Sequence, residues 1–161
     1  MKMLVLFFSA LMLSPAADLA VVRQKYVAAA TSAKEADELY KILESVPDNS
    51  AEKTLVAYKG GALALRAKFE KGLLNKKNLF TEGATLLEAV ITKDPSNYEA
   101  RVIRLSIQEN APRITGYNKE IDDDKKFIIK NFNIQKADLK EFTKNFIKLS
   151  PSFSKEEKAA F

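Results

Sequence analysis

The chain contains no histidine, no cysteine and no tryptophan. Without imidazole there is no side chain with an ordinary pKa near neutrality. Without thiolates there is no disulfide, no cysteine nucleophile and no Cys/His zinc site. Glycine and proline are scarce, five of each in 161 residues. That is too little turn punctuation for an all-β chain, so helices are expected. Arginine is scarce as well: of 26 basic residues only 5 are Arg and 21 are Lys. Base and phosphate readers lean on the planar guanidinium fork, so no nucleic-acid partner is expected. No phosphate-binding G-x-x-x-x-G-K-[ST], no G-x-G-x-x-G, no G-x-S-x-G elbow and no H-E-x-x-H occurs. Ser50 with Lys53 has the S-x-x-K spacing, but a serine capping a helix explains that pair more simply. No cofactor is expected, and a non-catalytic role is preferred; the alternative of an enzyme using carboxylate, serine or lysine chemistry has no motif behind it.

What is present begins with a basic start at Lys2, an apolar run over residues 4–13 and a small-residue exit, Ser14-Pro15-Ala16-Ala17. Those are the three parts of a secretory signal peptide. The run is short of the ~20 residues a membrane-spanning helix needs. Residues 1–16 are therefore read as an export signal, with Ser14 and Ala16 at the two small-residue positions before the cut. No cysteine follows to carry a lipid anchor. Residues 17–161 are expected as one domain in a periplasmic or extracellular space. Losing Lys2 takes the net charge from +5 to +4.

Apolar residues then recur at three-and-four spacing in helix-sized pieces. Leu19, Val22, Tyr26 and Ala29 share a face; so do Ala36, Leu39, Leu43 and Val46; so do Leu55, Tyr58, Ala62, Leu65 and Phe69. A polar loop is expected over residues 72–78 and a fourth helix from Leu79. A fifth helix carries Val102, Ile103 and Leu105. A sixth starts near Lys119 with Ile121, Ile128 and Phe132. A seventh buries Leu139, Phe142, Phe146 and Leu149. Ser32 with Glu35, Ser96 with Glu99 and Ser154 with Glu157 have the spacing of capping boxes. Gly60-Gly61 falls inside the third helix, where each glycine costs ~1 kcal/mol relative to alanine; close approach of a neighbouring helix is the expected reason. The fold class is all-α: about seven helices in antiparallel hairpins, arranged as a bundle or a repeat array.

Alternate helix starts lie 33 to 46 residues apart, the range of helical solenoids. Residues 82–101 resemble the second helix of a tetratricopeptide repeat and the start of the next. Counting back from Pro95, Gly83, Leu87 and Val90 take that family's small, large and small positions, with Val90 bulkier than usual and Ala89 beside it. Tyr58 and Gly61 resemble first-helix positions. Residues 57–68 and 101–128 together resemble an uncharacterised group of small exported bacterial helical proteins. The resemblance implies a degenerate, tetratricopeptide-like array that holds a protein or peptide in a groove, and it brings no activity.

Two surfaces stand out as candidates. Arg101, Arg104, Gln108, Asn110, Arg113 and Tyr117 gather three of the five arginines within thirteen residues. Read functionally, they form a groove for a carboxylate, a peptide terminus or another anion. Read structurally, they brace the corner between the fifth and sixth helices, pairing with Asp122, Asp123 and Asp124. Those three aspartates suit the positive end of the sixth helix; consecutive helical side chains point about 100° apart and do not converge on a metal, so no metal site is expected. The second surface is a lysine stripe, Lys136, Lys140, Lys144 and Lys148, expected opposite the apolar face of the seventh helix. It is either a solvated face or a dock for an anionic polymer or lipid surface. The sequence leaves the oligomeric state open.

Overall fold

Four polar side chains set the starts of four helices. Asp18 accepts a hydrogen bond from the Ala20 N–H at 2.8 Å, Ser32 from Glu35 at 3.2 Å, Asn97 from Ala100 at 3.0 Å and Ser154 from Glu157 at 3.2 Å. Each satisfies a backbone donor that the first helical turn leaves free. The computed structural model describes residues 17–161, so the expected export signal, residues 1–16, lies outside the described residues. Among the described residues the chain forms eight α-helices and no strand: α1 (Leu19–Ala29), α2 (Ala33–Leu43), α3 (Lys53–Phe69), α4 (Leu73–Lys93), α5 (Tyr98–Gln108), α6 (Ile121–Asn131), α7 (Ala137–Leu149) and α8 (Lys155–Ala159). Short turns reverse the chain between helices, so successive helices through α6 pair antiparallel and α1, α3 and α5 run the same way.

α3 is the axis of the array. From Leu55 to Ala64 it is buried on every side, against α2, α4, α1 and α5. Burying a whole helix surface forces its one lysine in that stretch inward, and Lys59 is used there. Its ammonium donates to the Val46 carbonyl at 2.9 Å and the Asp48 carboxylate at 2.8 Å, closing the exposed carbonyl end of α2. The glycines of α3 serve two different contacts. A Cβ on Gly60 would lie 2.7 Å from the Gly83 carbonyl oxygen of α4, and one on Gly61 would lie 2.8 Å from the Tyr26 ring of α1. Side chains from α1 to α5 form the main core, and a second cluster joins Tyr98, Val102 and Leu105 to Ile128, Leu139, Ile147 and Phe153. Phe142 of α7 touches both.

Several elements differ from their sequence expectations, each for a physical reason. Residues 73–78, expected as loop, are the first turns of α4. They carry leucine, lysine and asparagine without proline, and the helix continues through them although they are exposed. The expected Ser96–Glu99 capping box is absent. Asn97 caps α5, Ser96 donates instead to Asp94 at 2.7 Å, and Glu99 turns into the core. At Ser32 only the serine half of the box forms, whereas Ser154 and Glu157 form both halves. α7 is rotated about its axis relative to expectation. Leu139, Thr143 and Ile147 form its buried line and Leu149 is exposed. The rotation brings the lysine stripe next to the buried line rather than opposite it. Lys140 and Lys144 are half-buried, each ammonium 5.8 Å from the centre of the Phe132 ring.

Candidate functional site in the corner between α5 and α6

The three-and-four spacing of Arg101, Arg104 and Gln108 stacks them on one side of α5, and that side faces the first turn of α6. They meet at Asp124, which is fully buried. Arg104 grips this carboxylate through Nε and Nη2, both at 2.7 Å; Arg101 adds Nη1 at 2.9 Å and Gln108 adds Nε2 at 3.0 Å. Each carboxylate oxygen thus accepts two hydrogen bonds, and a buried charge is stabilised by charge-assisted donors in fixed geometry. The cluster extends outward. Arg104 Nη1 donates to Glu88 of α4 at 2.8 Å, and the Tyr117 hydroxyl donates to the other Glu88 oxygen at 2.8 Å. Gln108 Oε1 accepts from the Glu120 N–H at 3.0 Å and so anchors the start of α6. The Arg101 guanidinium lies 5.0 Å over the Phe127 ring, while its Nε is buried without a partner. Two arginines balance two carboxylates, so the corner is close to neutral.

Burial opposes the charge on Arg104, but the hydrogen bonds and charges of Asp124 and Glu88 outweigh it and hold the guanidinium above its ordinary range. Burial, then the bond to Glu88 and its charge, push the Tyr117 phenol well above the usual tyrosine value. Both groups stay protonated at any physiological pH. Every lone pair of Asp124 that a reactant would need is engaged by a donor of this chain.

The other predicted members lie outside this knot. Asn110 is exposed and donates to the Ser106 carbonyl at 2.8 Å, closing the end of α5. Arg113 is exposed in a 3-10 turn over Arg113–Thr115 and has no ion pair among the described residues. Asp122 and Asp123 face solvent, and among the described residues no group of carboxylates is arranged to hold a metal ion. In α7, Lys136 and Lys148 are exposed at the two ends of the stripe. Ser50 and Lys53 meet through the Ser50 carbonyl, not its hydroxyl, and that hydroxyl accepts from the Glu52 N–H at 3.1 Å.

A second buried knot went unread in the sequence. Glu99 accepts from Arg23 Nη2 at 2.6 Å, from Arg23 Nε at 3.0 Å and from the Tyr58 hydroxyl at 2.7 Å. Arg23 also donates to Asp138 at 2.6 Å, so one guanidinium joins α1, α5 and α7. Its pKa stands above the ordinary range because the Glu99 bond outweighs the cost of burial. The signal was there: a buried tyrosine on the apolar line of α3 needs a partner for its hydroxyl, and Glu99 lies three and four residues before Val102 and Ile103, on the apolar side of α5. Two surface hollows, of about 230 and 160 Å³, lie elsewhere. The first is lined by Ile129, Phe132 and Phe161, the second by Asp37, Arg66 and Phe69, and neither reaches the Asp124 corner. No family model, no curated protein and no solved structure matches the chain.

Proposed function

We propose that the protein is an exported, non-catalytic interaction module built as a degenerate tetratricopeptide-like array, with a protein or peptide as its partner. The observation that carries this reading is the order of helix neighbours. α1 packs on α2 and α3, α3 on α2, α4 and α5, and α5 on α4 and α6. Helix pairs that contact mainly the next pair are the organisation of a solenoid; the middle of α3 is covered by its neighbours, so the partner surface is placed on the exposed connector after α5 rather than along the first helices. Gly83 at the tightest point between α3 and α4, with Leu87 and Val90 buried behind it, agrees with the resemblance over residues 82–101. The saturation of Asp124 and Glu99 by this chain's own donors supports a framework role for those charges.

In this reading Arg101, Arg104 and Gln108 fix the corner, while Asn110 and Arg113 present polar groups to the partner. Immobilised protein tests it against an extract of exported proteins from the producing organism. A protein retained by the wild type and lost with Arg113→Glu supports the reading. Identical capture by the wild type, the variant and an unrelated helical control rejects it. The anionic-surface reading of α7 has narrower support. Lys136, Lys140, Lys144 and Lys148 form no ion pair among the described residues, but two of the four ammoniums are drawn over Phe132.

A further inference from the structure

The five most exposed large apolar side chains are Ile114 (97%), Leu149 (85%), Leu73 (82%), Ile134 (79%) and Leu74 (69%). Single exposed apolar residues are ordinary. Here four of the five belong to one end of the array. Because α1, α3 and α5 run the same way, the α3–α4 turn and the α5–α6 connector lie at the same end. Tyr117 of that connector meets Phe80 of α4 edge-on at 5.5 Å, which brings Ile114 towards the α4 tip. Ser150 bonds Glu109, which ties the end of α7, and Leu149 with it, to the end of α5.

The α4 tip lies at this end. Its residues 73–78 form helix, yet all six side chains are exposed. Around the leucine pair stand Lys71, Lys76 and Lys77 against the single acid Glu70, a net +2 over residues 70–77, while Lys68 is turned away to donate to the Ala30 carbonyl at 2.8 Å. Glu70 is turned back to accept the Gly72 N–H at 2.9 Å. Lys71, Lys76 and Lys77 have no ion pair among the described residues. Three lysines without an ion pair among the described residues thus fall within residues 71–77, beside two exposed leucines.

We propose that this tip docks on an anionic lipid bilayer, with Leu73 and Leu74 entering the headgroup–acyl boundary and Lys71, Lys76 and Lys77 resting on lipid phosphates. The tip is exposed over residues 71–78, with Lys71 before its leucines and Lys76 and Lys77 one turn after them. A bilayer meets that arrangement because it is deformable, accepts leucine at acyl depth and presents phosphates around it, while lysine stems lie along the apolar surface with their ammoniums outward. Among the described residues no helix is long and apolar enough to cross a membrane, so the attachment is peripheral. The proposal rests on Leu73, Leu74 and the tip lysines, not on Asn110 or Arg113, and so does not rest on the partner-binding reading.

The absence of tryptophan supplies the test. Leu74→Trp in the full chain places one indole at the tip, and Asn145→Trp places one on the exposed side of α7. With vesicles of phosphatidylglycerol at low salt, the Leu74→Trp emission is expected to move to shorter wavelength and to be quenched by brominated acyl chains, while Asn145→Trp is unchanged. Each Lys→Gln change at Lys71, Lys76 or Lys77 is expected to weaken partitioning about fivefold. Neutral phosphatidylcholine vesicles are expected to leave the emission unchanged. Because position 74 reports its own depth, attachment through any other part of the chain does not mimic the result. The tip residues are exposed, so unchanged far-ultraviolet circular dichroism checks that the variants fold. The proposal is overturned if position 74 stays in water while the protein floats with vesicles, if neutral vesicles shift it equally, if the Lys→Gln changes have no effect, or if polyglutamate shifts it and vesicles do not.

Discussion

Arg104 holds Asp124 side-on, with Nε on one carboxylate oxygen and Nη2 on the other, both at 2.7 Å. This fork fixes the angle between α5 and α6 and brings Glu88 of α4 into the same network through the remaining Nη1. Asp124→Asn keeps the shape but removes the charge that faces two guanidiniums. Breaking one side of a buried pair costs about 3–5 kcal/mol. The measurement is urea unfolding, with Asp123→Asn as an exposed control expected within about 0.5 kcal/mol of wild type. An Asp124→Asn variant as stable as that control would show that the fork contributes nothing net.

The same pair allows a sharper experiment. Arg104→Met with Asp124→Leu removes both charges and fills their volume with apolar atoms, which recovers stability in buried pairs where the desolvation cost was large. The double variant is expected to be more stable than Asp124→Leu alone, since the latter leaves Arg104 buried with two of its three bonding nitrogens unpaired. Strict additivity of the two single changes, read from the double-mutant cycle, would mean that the residues are not coupled.

Where Gly60 meets Gly83, backbone lies on backbone. A Cβ at Gly83 would press on the Gly60 carbonyl oxygen and stand 3.0 Å from the Ala64 nitrogen, with no flexible side chain to give way. Alanine in a helix interior gains ~1 kcal/mol over glycine, while overpacking costs about 1–3 kcal/mol. Gly83→Ala is therefore expected to lower the melting temperature despite its better helix propensity. Gly72→Ala, whose nearest neighbour would be 3.5 Å away, is expected to leave it nearly unchanged. A higher melting temperature for Gly83→Ala would refute the close approach.

These glycines also mark what the sequence could and could not convey. The periodic apolar lines of α1, α2, α3 and α5 were legible because one buried face imposes a three-four repeat, and the glycines in α3 signalled a close neighbour. The start of α4 was not legible. Its polar exposed turns carry no packing signal, and only helix propensity distinguishes them from a loop. α7 shows a different limit. Phe142, Phe146 and Leu149 outweigh Thr143 and Ile147 in any apolar count, yet the Thr143 hydroxyl can bond the Leu139 carbonyl at 2.7 Å and so enter the core. For the candidate residues, spacing predicted that Arg101, Arg104 and Gln108 share a side. It did not predict that only Asp124 of three consecutive aspartates lies opposite them. Glu99 was masked by a local alternative, the capping box, that fits the same letters.

The Glu99 knot separates buried from exposed ion pairing within one guanidinium. Arg23 meets Glu99 in the interior and Asp138 at the surface, where the Asp138 side chain is 57% exposed. Glu99→Gln is expected to cost about 3 kcal/mol, because it leaves Arg23 facing a neutral group in a buried site. Tyr58→Phe removes one donor and is expected to cost about 1 kcal/mol. Asp138→Asn is expected to change the melting temperature little, since solvent screens that contact. If Asp138→Asn destabilised the protein as much as Glu99→Gln, the tether between α1 and α7 would be the principal contact of the knot.

Alkaline pH tests the interior as a whole. Burial pushes the Tyr26 and Tyr98 phenols up to about 12, against an ordinary value near 10; the Ser106 bond to Tyr26 works the other way without cancelling the effect. Burial, reinforced by the Glu99 charge, also holds Tyr58 well above its ordinary value, and burial with Glu88 does the same for Tyr117. Below pH 10 both folded and unfolded chains keep these protons, so the contribution to stability is complete. Above pH 10 the unfolded chain releases them while the folded chain retains them, and stability falls with rising pH by about 1.4 kcal/mol per pH unit for each retained proton. Four such groups acting together consume a typical domain stability of ~5–15 kcal/mol within a few pH units. Phenolate absorbance is therefore expected to rise late and in step with loss of helix by circular dichroism. With no tryptophan in the chain, that absorbance belongs to tyrosine alone. Tyr26, Tyr58, Tyr98 and Tyr117 titrating with an ordinary midpoint while the helices remain intact would mean that the interior around Tyr26 and Tyr58 admits water and hydroxide, and that the buried α3 axis is looser than its packing indicates.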